Sequence, residues 1–595
     1  MDPECGDERC LGCRRTTVTA SELGIRDIED AAYKVQLQPN IKTLMELAKS
    51  WNRWKHRGGV PPESEMAMLC LYSLHLLGST LVNNVDEAAR HEQDFVDIWP
   101  VILKWIMIVF SSRLRGRGHD SPSLTLFEEE AANTIARALF VLALIPALRY
   151  VMAATPGLLE VAASLWLLEG ITEPHGPVAI ASTLINCFLD NLEDATPILT
   201  RLMNAAGGDP DIVLRIACSR IQQRLTLEIP RIEAERILDN LMILASSASA
   251  KPKGYRMRQA CVQVDVIPTC IAALKWTAAM IKAKGPHSFL SRMIYPAFSC
   301  IHDCLEIGSG YSEVLQAVRC GLIQVFMECR AEFSSWSSDQ RNNIFEIFRS
   351  IIPRYLVYRP VTKATYPVLS RLVGDTSSCL TEDYPVYEVL VQLHKLALEY
   401  HSPIAKSRTA RILCDNWKCS ENRFKSDFFT CSACHFAWYC SRECQKADWR
   451  AGSCHKRICP TLRRAYLEHS PNAAFRDKRW IHGLCYYLVR SVMPNLPDII
   501  KEKHPSASLS SLLVLINFQE VPVGCSILSK EEIAATMKEE PVEEDVLVFL
   551  LLALESAKWR KHHLLVVSTM DLGEDGRAWT MQQTFLDLRR WDEVH

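Results

Sequence analysis

The sequence predicts a mainly α chain: a long helical region, then a cysteine-rich module, then a small α+β segment. Three observations carry this. Glycine supplies only 24 of 595 residues, few for a fold that turns often through positive φ. Apolar residues between about 26 and 400 recur on one helical face. Eight of the 23 cysteines fall between Cys414 and Cys459, far above an even spread. A chain this long exceeds the usual 100–200 residues of one domain, so at least two folding units are expected.

Residues 1–25 carry Cys5, Cys10 and Cys13 among charged and small residues, with no apolar periodicity, and read as a mobile tail. The opening MDPECGDERCLGCRR lacks the apolar stretch of a signal peptide, so an intracellular protein is expected. The longest apolar runs, Ala138 to Leu148 and Val546 to Leu554, reach about half of the ~20 residues of a membrane span. They read as buried core, and no membrane partner is expected.

Within 26–400, Leu214, Ala217, Cys218, Ile221 and Leu225 mark one helical face, and Ile237, Leu238, Leu241, Leu244 and Ala245 mark another. Breaks fall at Thr155-Pro156-Gly157, Gly207-Gly208-Asp209-Pro210 and Gly308-Ser309-Gly310. An echo recurs at Gly157-Leu158-Leu159-Glu160, Asp265-Val266-Ile267-Pro268 and Gly321-Leu322-Ile323-Gln324, each between apolar helical stretches. It resembles the bend before the last helix of an armadillo-type repeat. The separations are unequal, so the expected array is an irregular armadillo-like helical solenoid, with a non-repetitive bundle as the alternative.

Residues 401–413 (HSPIAKSRTARIL) read as a polar linker. Beyond the cysteine cluster, 460–595 reads as a small α+β domain. Ser511 to Phe518 and Leu564 to Thr569 have the look of short buried strands, with helical pieces near 473–490 and 545–560.

The cluster reads Cys414-x4-Cys419-x11-Cys431-x2-Cys434-x5-Cys440-x3-Cys444-x10-His455-x3-Cys459. Seven thiols and one imidazole make two tetrahedral sets. Thiolates with one borderline nitrogen suit Zn2+, and four protein donors per ion leave no position for water or substrate, so the two zinc ions are expected to be structural. The segment holds too little apolar material to fold without such a staple.

The cluster resembles a MYND zinc finger. Beyond the cysteines, Tyr439-Cys440-Ser441-Arg442-Glu443-Cys444-Gln445-Lys446-Ala447-Asp448-Trp449 reproduces that family's YC-x3-CQ-x2-DW run. The resemblance implies interleaved sites: Cys414, Cys419, Cys440 and Cys444 on one zinc, and Cys431, Cys434, His455 and Cys459 on the other. Two departures stand out. The first pair is spaced x4 where x2 is commoner, and the stretch from Trp449 to His455 is longer than usual. His455 is assigned because His455-x3-Cys459 keeps the family's ending; its neighbour Cys454 is the alternative donor.

Between Cys414 and Cys459 stand eight Lys or Arg and five Asp or Glu. With two dications and seven thiolates the folded module sums to about zero, not the footprint of a nucleic-acid-binding finger. The resemblance instead implies a protein or peptide partner carrying a short, proline-rich motif, with Gln445 and Trp449 as the contacting residues. Trp449 has a second reading, as a packing residue on the zinc core.

No catalytic residue is identified. Leu305 to Gly310 (LEIGSG) resembles the first motif of class I methyltransferases, but Ser312 stands where a third glycine belongs and no β-run precedes it. The Asn-His-x-Cys run of SET-domain methyltransferases is missing, and His562-His563 beside Lys561 reads as surface charge. The expectation is a zinc-binding interaction adaptor with a helical scaffold and no enzymatic activity. The alternatives are a methyltransferase with diverged motifs and a transcriptional regulator contacting DNA.

Overall fold

The computed structural model describes residues 28–35, 41–56, 63–81, 90–115, 124–169, 180–189, 195–225, 231–250, 255–285, 288–307, 311–375, 384–406, 411–414, 416, 419, 421–424, 427–434, 437–450, 455–456, 459, 484, 488, 496–507, 512–517, 524–529, 532, 563–569 and 584–587. The segment 1–25 lies outside them, as do the helical pieces expected near 473–490 and 545–560 apart from Leu484 and Leu488. The chain divides into two compact units, Met1–Val264 and Asp265–His595.

The first unit is helical throughout its described length: α1 (Ile41–His56), α2 (Glu63–Leu81), α3 (Glu92–Arg113), α4 (Leu126–Ala143), α5 (Pro146–Ala154), α6 (Leu158–Leu168), α7 (Ile180–Leu189), α8 (Thr196–Ala205), α9 (Pro210–Arg224), α10 (Arg231–Ala248) and α11 (Tyr255–Gln263). Local chemistry sets the boundaries. Thr125 and Glu128 form a capping box at the start of α4, satisfying two backbone donors that a helix start leaves open. Gly157 adopts φ 84° between α5 and α6, whose axes bend by 97°; a side chain would strain this left-handed corner. Gly207 and Gly208, at φ 76° and 85°, end α8, and Asp209 caps α9 with Pro210 in its first turn. Thus two of the punctuators are helix corners. On α9 and α10 the predicted faces are buried apart from Leu225 and Ala245, which are half-buried at the rims.

In the second unit come α12 (Val266–Lys284), α13 (Ser288–Ile307), α14 (Tyr311–Cys320), α15 (Leu322–Glu328), α16 (Ser338–Glu346), α17 (Ile352–Tyr355), α18 (Arg359–Asp375) and α19 (Tyr384–Lys406). Asp265 and Gly321, the other two echo positions, stand at the N-termini of α12 and α15. Phe326 stacks on Phe348 at 3.9 Å, with Phe298 and Phe345 edge-on to it, an arrangement that aromatic quadrupoles favour. Of the LEIGSG segment, Leu305, Glu306 and Ile307 are the last residues of helix α13 and not of a strand; residues 308–310 lie outside the described residues.

Among the described residues two helices, α3 and α12, are long and apolar enough to cross a membrane by length and composition. Reading uninterrupted apolar runs passed over both, because Asp97, Pro100 and Lys104 interrupt α3 and Lys275 interrupts α12. Within its unit α3 buries Phe95, Ile98, Trp99, Ile102, Trp105, Ile106 and Val109, the stripe of a helix packed on protein.

Beyond α19, the hairpins β1 (Arg411–Leu413) with β2 (Asn422–Phe424) and β3 (Phe429–Thr430) with β4 (Trp438–Tyr439) precede α20 (Arg442–Arg450). After α21 (Leu496–Lys503), strands β5 (Leu512–Asn517), β6 (Gly524–Ser529), β7 (His563–Thr569) and β8 (Thr584–Asp587) form a sheet ordered β6-β5-β7-β8. β5 runs parallel to β7, and the outer pairings are antiparallel. The two strands expected from sequence are the central pair. The edge strands β6 (GCSILS) and β8 (TFLD) carry no apolar run or alternation long enough to read.

Candidate metal centre

The two small hairpins and α20 carry the ligands. Cys414 directly follows β1, its N–H donating to the Glu421 carbonyl at 3.1 Å, and the Cys419 N–H donates to the Asn416 carbonyl at 2.8 Å. Cys431 and Cys434 flank the turn between β3 and β4, and the Cys431 N–H closes it on the Ala437 carbonyl at 2.9 Å. Cys440 leaves β4. Ser441 Oγ then accepts from the Cys444 N–H at 3.1 Å, capping α20 so that its first turn brings Cys444 beside Cys440.

These elements assemble two groups: Cys414, Cys419, Cys440 and Cys444, and Cys431, Cys434, His455 and Cys459, with the donor atoms of each within 4.8 Å of one another. The sets interleave along the chain. Cys454 lies outside the described residues, and the fourth donor of the second group is His455.

Donor separations test whether zinc fits. Zn–S bonds of about 2.3 Å imply tetrahedral edges of ~3.8 Å between sulfurs. The sulfurs stand 3.6 Å apart for Cys419 and Cys440, 3.4 Å for Cys440 and Cys444 and 3.9 Å for Cys431 and Cys459. Cys434 Sγ lies 3.8 Å from His455 Nε2. Disulfides, at about 2.05 Å, are far shorter, and all seven cysteines are free.

Electrostatics point the same way. Burial raises the Cys414 thiol well above its usual range, raises Cys459 to about 12 and raises Cys440 to about 11. Burial also acts upward on Cys431, but hydrogen bonds with the Cys434 and Ala433 backbone and the Cys434 and Cys459 side chains together leave the thiol below its ordinary value. Cys444 is likewise lowered against burial by hydrogen bonds with Cys440 and the Asn416 side chain. Each set therefore mixes ready and reluctant thiolates, and a dication is what lets all its sulfurs ionise together.

Around the ligands, Tyr439 is fully buried and its hydroxyl donates to Asp448 Oδ2 at 2.8 Å. Its ring meets His455 edge-on at 5.9 Å. This ties α20 to β4 and fixes the imidazole's surroundings. Sequence reasoning missed Tyr439, Asp448 and Asn416 as supports. The first two lie inside the matched run and were open to recognition; nothing in the spacing marks Asn416. Of the residues assigned to peptide contact, Gln445 is half-buried and Trp449 is 40% exposed.

With four protein donors in each set, both sites suit structural zinc. Residues 414–459 match the MYND finger family, and the rest of the chain matches no family. No curated protein and no solved structure matches the chain. Residues 414–459 are therefore a MYND-type zinc finger, a module that generally mediates protein–protein interaction.

Proposed function

We propose that the chain is an interaction adaptor, with the finger gripping a short proline-containing peptide and the helical regions serving as scaffold. One observation carries the reading: α20, held by Cys440 and Cys444 at one end and by Asp448 in its middle, presents Trp449 with 40% of its surface exposed. An exposed indole on a metal-fixed helix offers a rigid apolar face to a proline ring, and Gln445, one turn earlier, has an amide for a peptide carbonyl.

Zinc here holds a surface and performs no chemistry, because neither donor set leaves an open position. For the chain as a whole we propose a non-enzymatic role; calorimetric titration with S-adenosylmethionine showing no heat would agree, and micromolar binding would favour a methyltransferase. Zinc thiolates persist in reducing surroundings, which supports an intracellular location. Within the first unit α4 packs on α7 and α7 on α10, the neighbour relation a stacked scaffold needs. Selection of peptides on the full-length chain tests the docking role. Trp449→Ala should abolish capture with two zinc ions per chain retained, whereas loss of metal would make Trp449 a packing residue.

A further inference from the structure

The exposed charge on α20 is arranged. Arg442, Lys446 and Arg450 stand at i, i+4 and i+8, one row along the helix. All three are exposed, and none forms an ion pair among the described residues. Gln445 and Trp449 form the adjacent row, about 60° around the axis at 100° per residue. Cys444 and Asp448 point the other way, into the finger. The near-zero net charge of the module therefore conceals a separation. Its negative groups include buried thiolates and the buried Asp448, as well as the exposed Glu421, Asp427 and Glu443, while three of its eight Lys and Arg line the face beside the indole.

Resting on the docking reading above, we infer that the finger selects peptides whose apolar or proline anchor is flanked by acidic residues, with Arg442, Lys446 and Arg450 as the specificity-determining cations. A strand lying along Gln445 and Trp449 passes these cations on one side. Each carboxylate set there meets an exposed cation, a small gain per pair that accumulates over three and is sensitive to salt. Glu443 is the one acid exposed on this helix, too few to neutralise the row.

The test is phage display of random 12-residue peptides on the zinc-loaded full-length chain, with Trp449→Ala as the counter-screen and zinc measured by mass spectrometry. Expected are Trp449-dependent peptides enriched in Asp and Glu beside the anchor. Arg442→Glu/Lys446→Glu/Arg450→Glu should select basic flanks instead, with two zinc ions retained. For an acidic winner, the triple glutamine variant should lose about tenfold in affinity at 50 mM salt and far less at 500 mM. Trp449-dependent peptides without acidic enrichment overturn this inference and leave the docking reading standing. Loss of zinc in the charge variants overturns it too, because the cations would then only screen the thiolates. If no Trp449-dependent peptide emerges, both fall. Steeply salt-dependent binding of a random DNA duplex by the same three residues assigns the row to phosphates and also overturns it.

Discussion

The indole of Trp449 meets the imidazole of His455 edge to face, with ring centroids 5.9 Å apart and planes at 60°. One residue is partly exposed and the other is a buried ligand of the second zinc set. On the docking role proposed above, the contact would make the recognition surface answer to metal occupancy of that set. Zinc fixes the imidazole, and the imidazole supports one side of the indole.

Removing the second ion should therefore disturb Trp449 directly. His455→Ala is expected to lose one zinc and to shift the emission of Trp449, isolated as the difference from Trp449→Phe because the chain has 14 tryptophans. Cys419→Ser, in the first set, should leave that difference spectrum closer to native. Equal effects from the two variants would mean that the finger loses its order as one block, without a private link between His455 and Trp449.

Chelation should unfold the finger and spare the helices. Its buried cluster consists of Cys414, Phe428, Cys431, Cys434, Ala437, Tyr439 and Cys459, so only three members are not metal ligands. Such a core cannot offset chain entropy by burial alone, whereas structural zinc contributes about 10 kcal/mol or more at neutral pH. With a strong chelator, new tryptic cuts are expected within 414–459, and far-UV circular dichroism should lose little beyond the nine residues of α20. A wholesale loss of helical signal would show that zinc supports more than the finger.

The left-handed corner at Gly157 makes a separate prediction. No atom stands within 4 Å of a Cβ built there, so space is not the constraint, but φ is 84°. Gly157→Ala should destabilise the first unit by about 1 kcal/mol through backbone strain alone, read as a lower urea midpoint with an unchanged slope. Stabilisation instead would show that the corner relaxes to negative φ.

The features legible in the sequence were those that fix both residue type and pattern. Zinc ligands announce themselves because one ion constrains four side chains, and stiff coordination leaves few workable spacings. Gly157, Gly207 and Gly208 were readable for a related reason, since positive φ leaves few alternatives to glycine. Features that join residues without such a pattern were not legible. Asn416 supports Cys444 from 28 positions away in no recognisable pattern. In the first unit Glu169, Ser182, Arg220 and Asp239 read as ordinary polar residues, yet all four are buried. Periodicity shows which face of a helix is apolar; it does not show which polar groups meet when several helices close over them.

That buried polar group yields a pH prediction. The Arg220 guanidinium lies 4.5 Å over the Trp166 ring, donates to the Trp166 carbonyl at 2.6 Å and sits 3.6 Å from Glu169, which also accepts from the Ser182 N–H and hydroxyl. Asp239 accepts instead from neutral donors on α7, Thr183 Oγ1 at 2.5 Å and Asn186 Nδ2 at 2.7 Å. Burial lifts its carboxyl from 3.8 to about 6, with Glu169 and Glu235 adding to the rise and the two hydrogen bonds restraining it. The folded state therefore prefers the protonated acid. Between these two values it binds more protons than the unfolded chain, so stability from this group is greatest below about pH 4 and falls as pH rises through 6. The full difference is about 3 kcal/mol. Asp239→Asn removes the buried charge, and the Thr183 hydroxyl can turn to accept from the new amide. The variant should melt several degrees above the parent at pH 7.5, with the gap narrowing below pH 6 and closing near pH 4. Calorimetry of both proteins across that range checks the sign, and a gap independent of pH would show that Asp239 does not titrate in the fold.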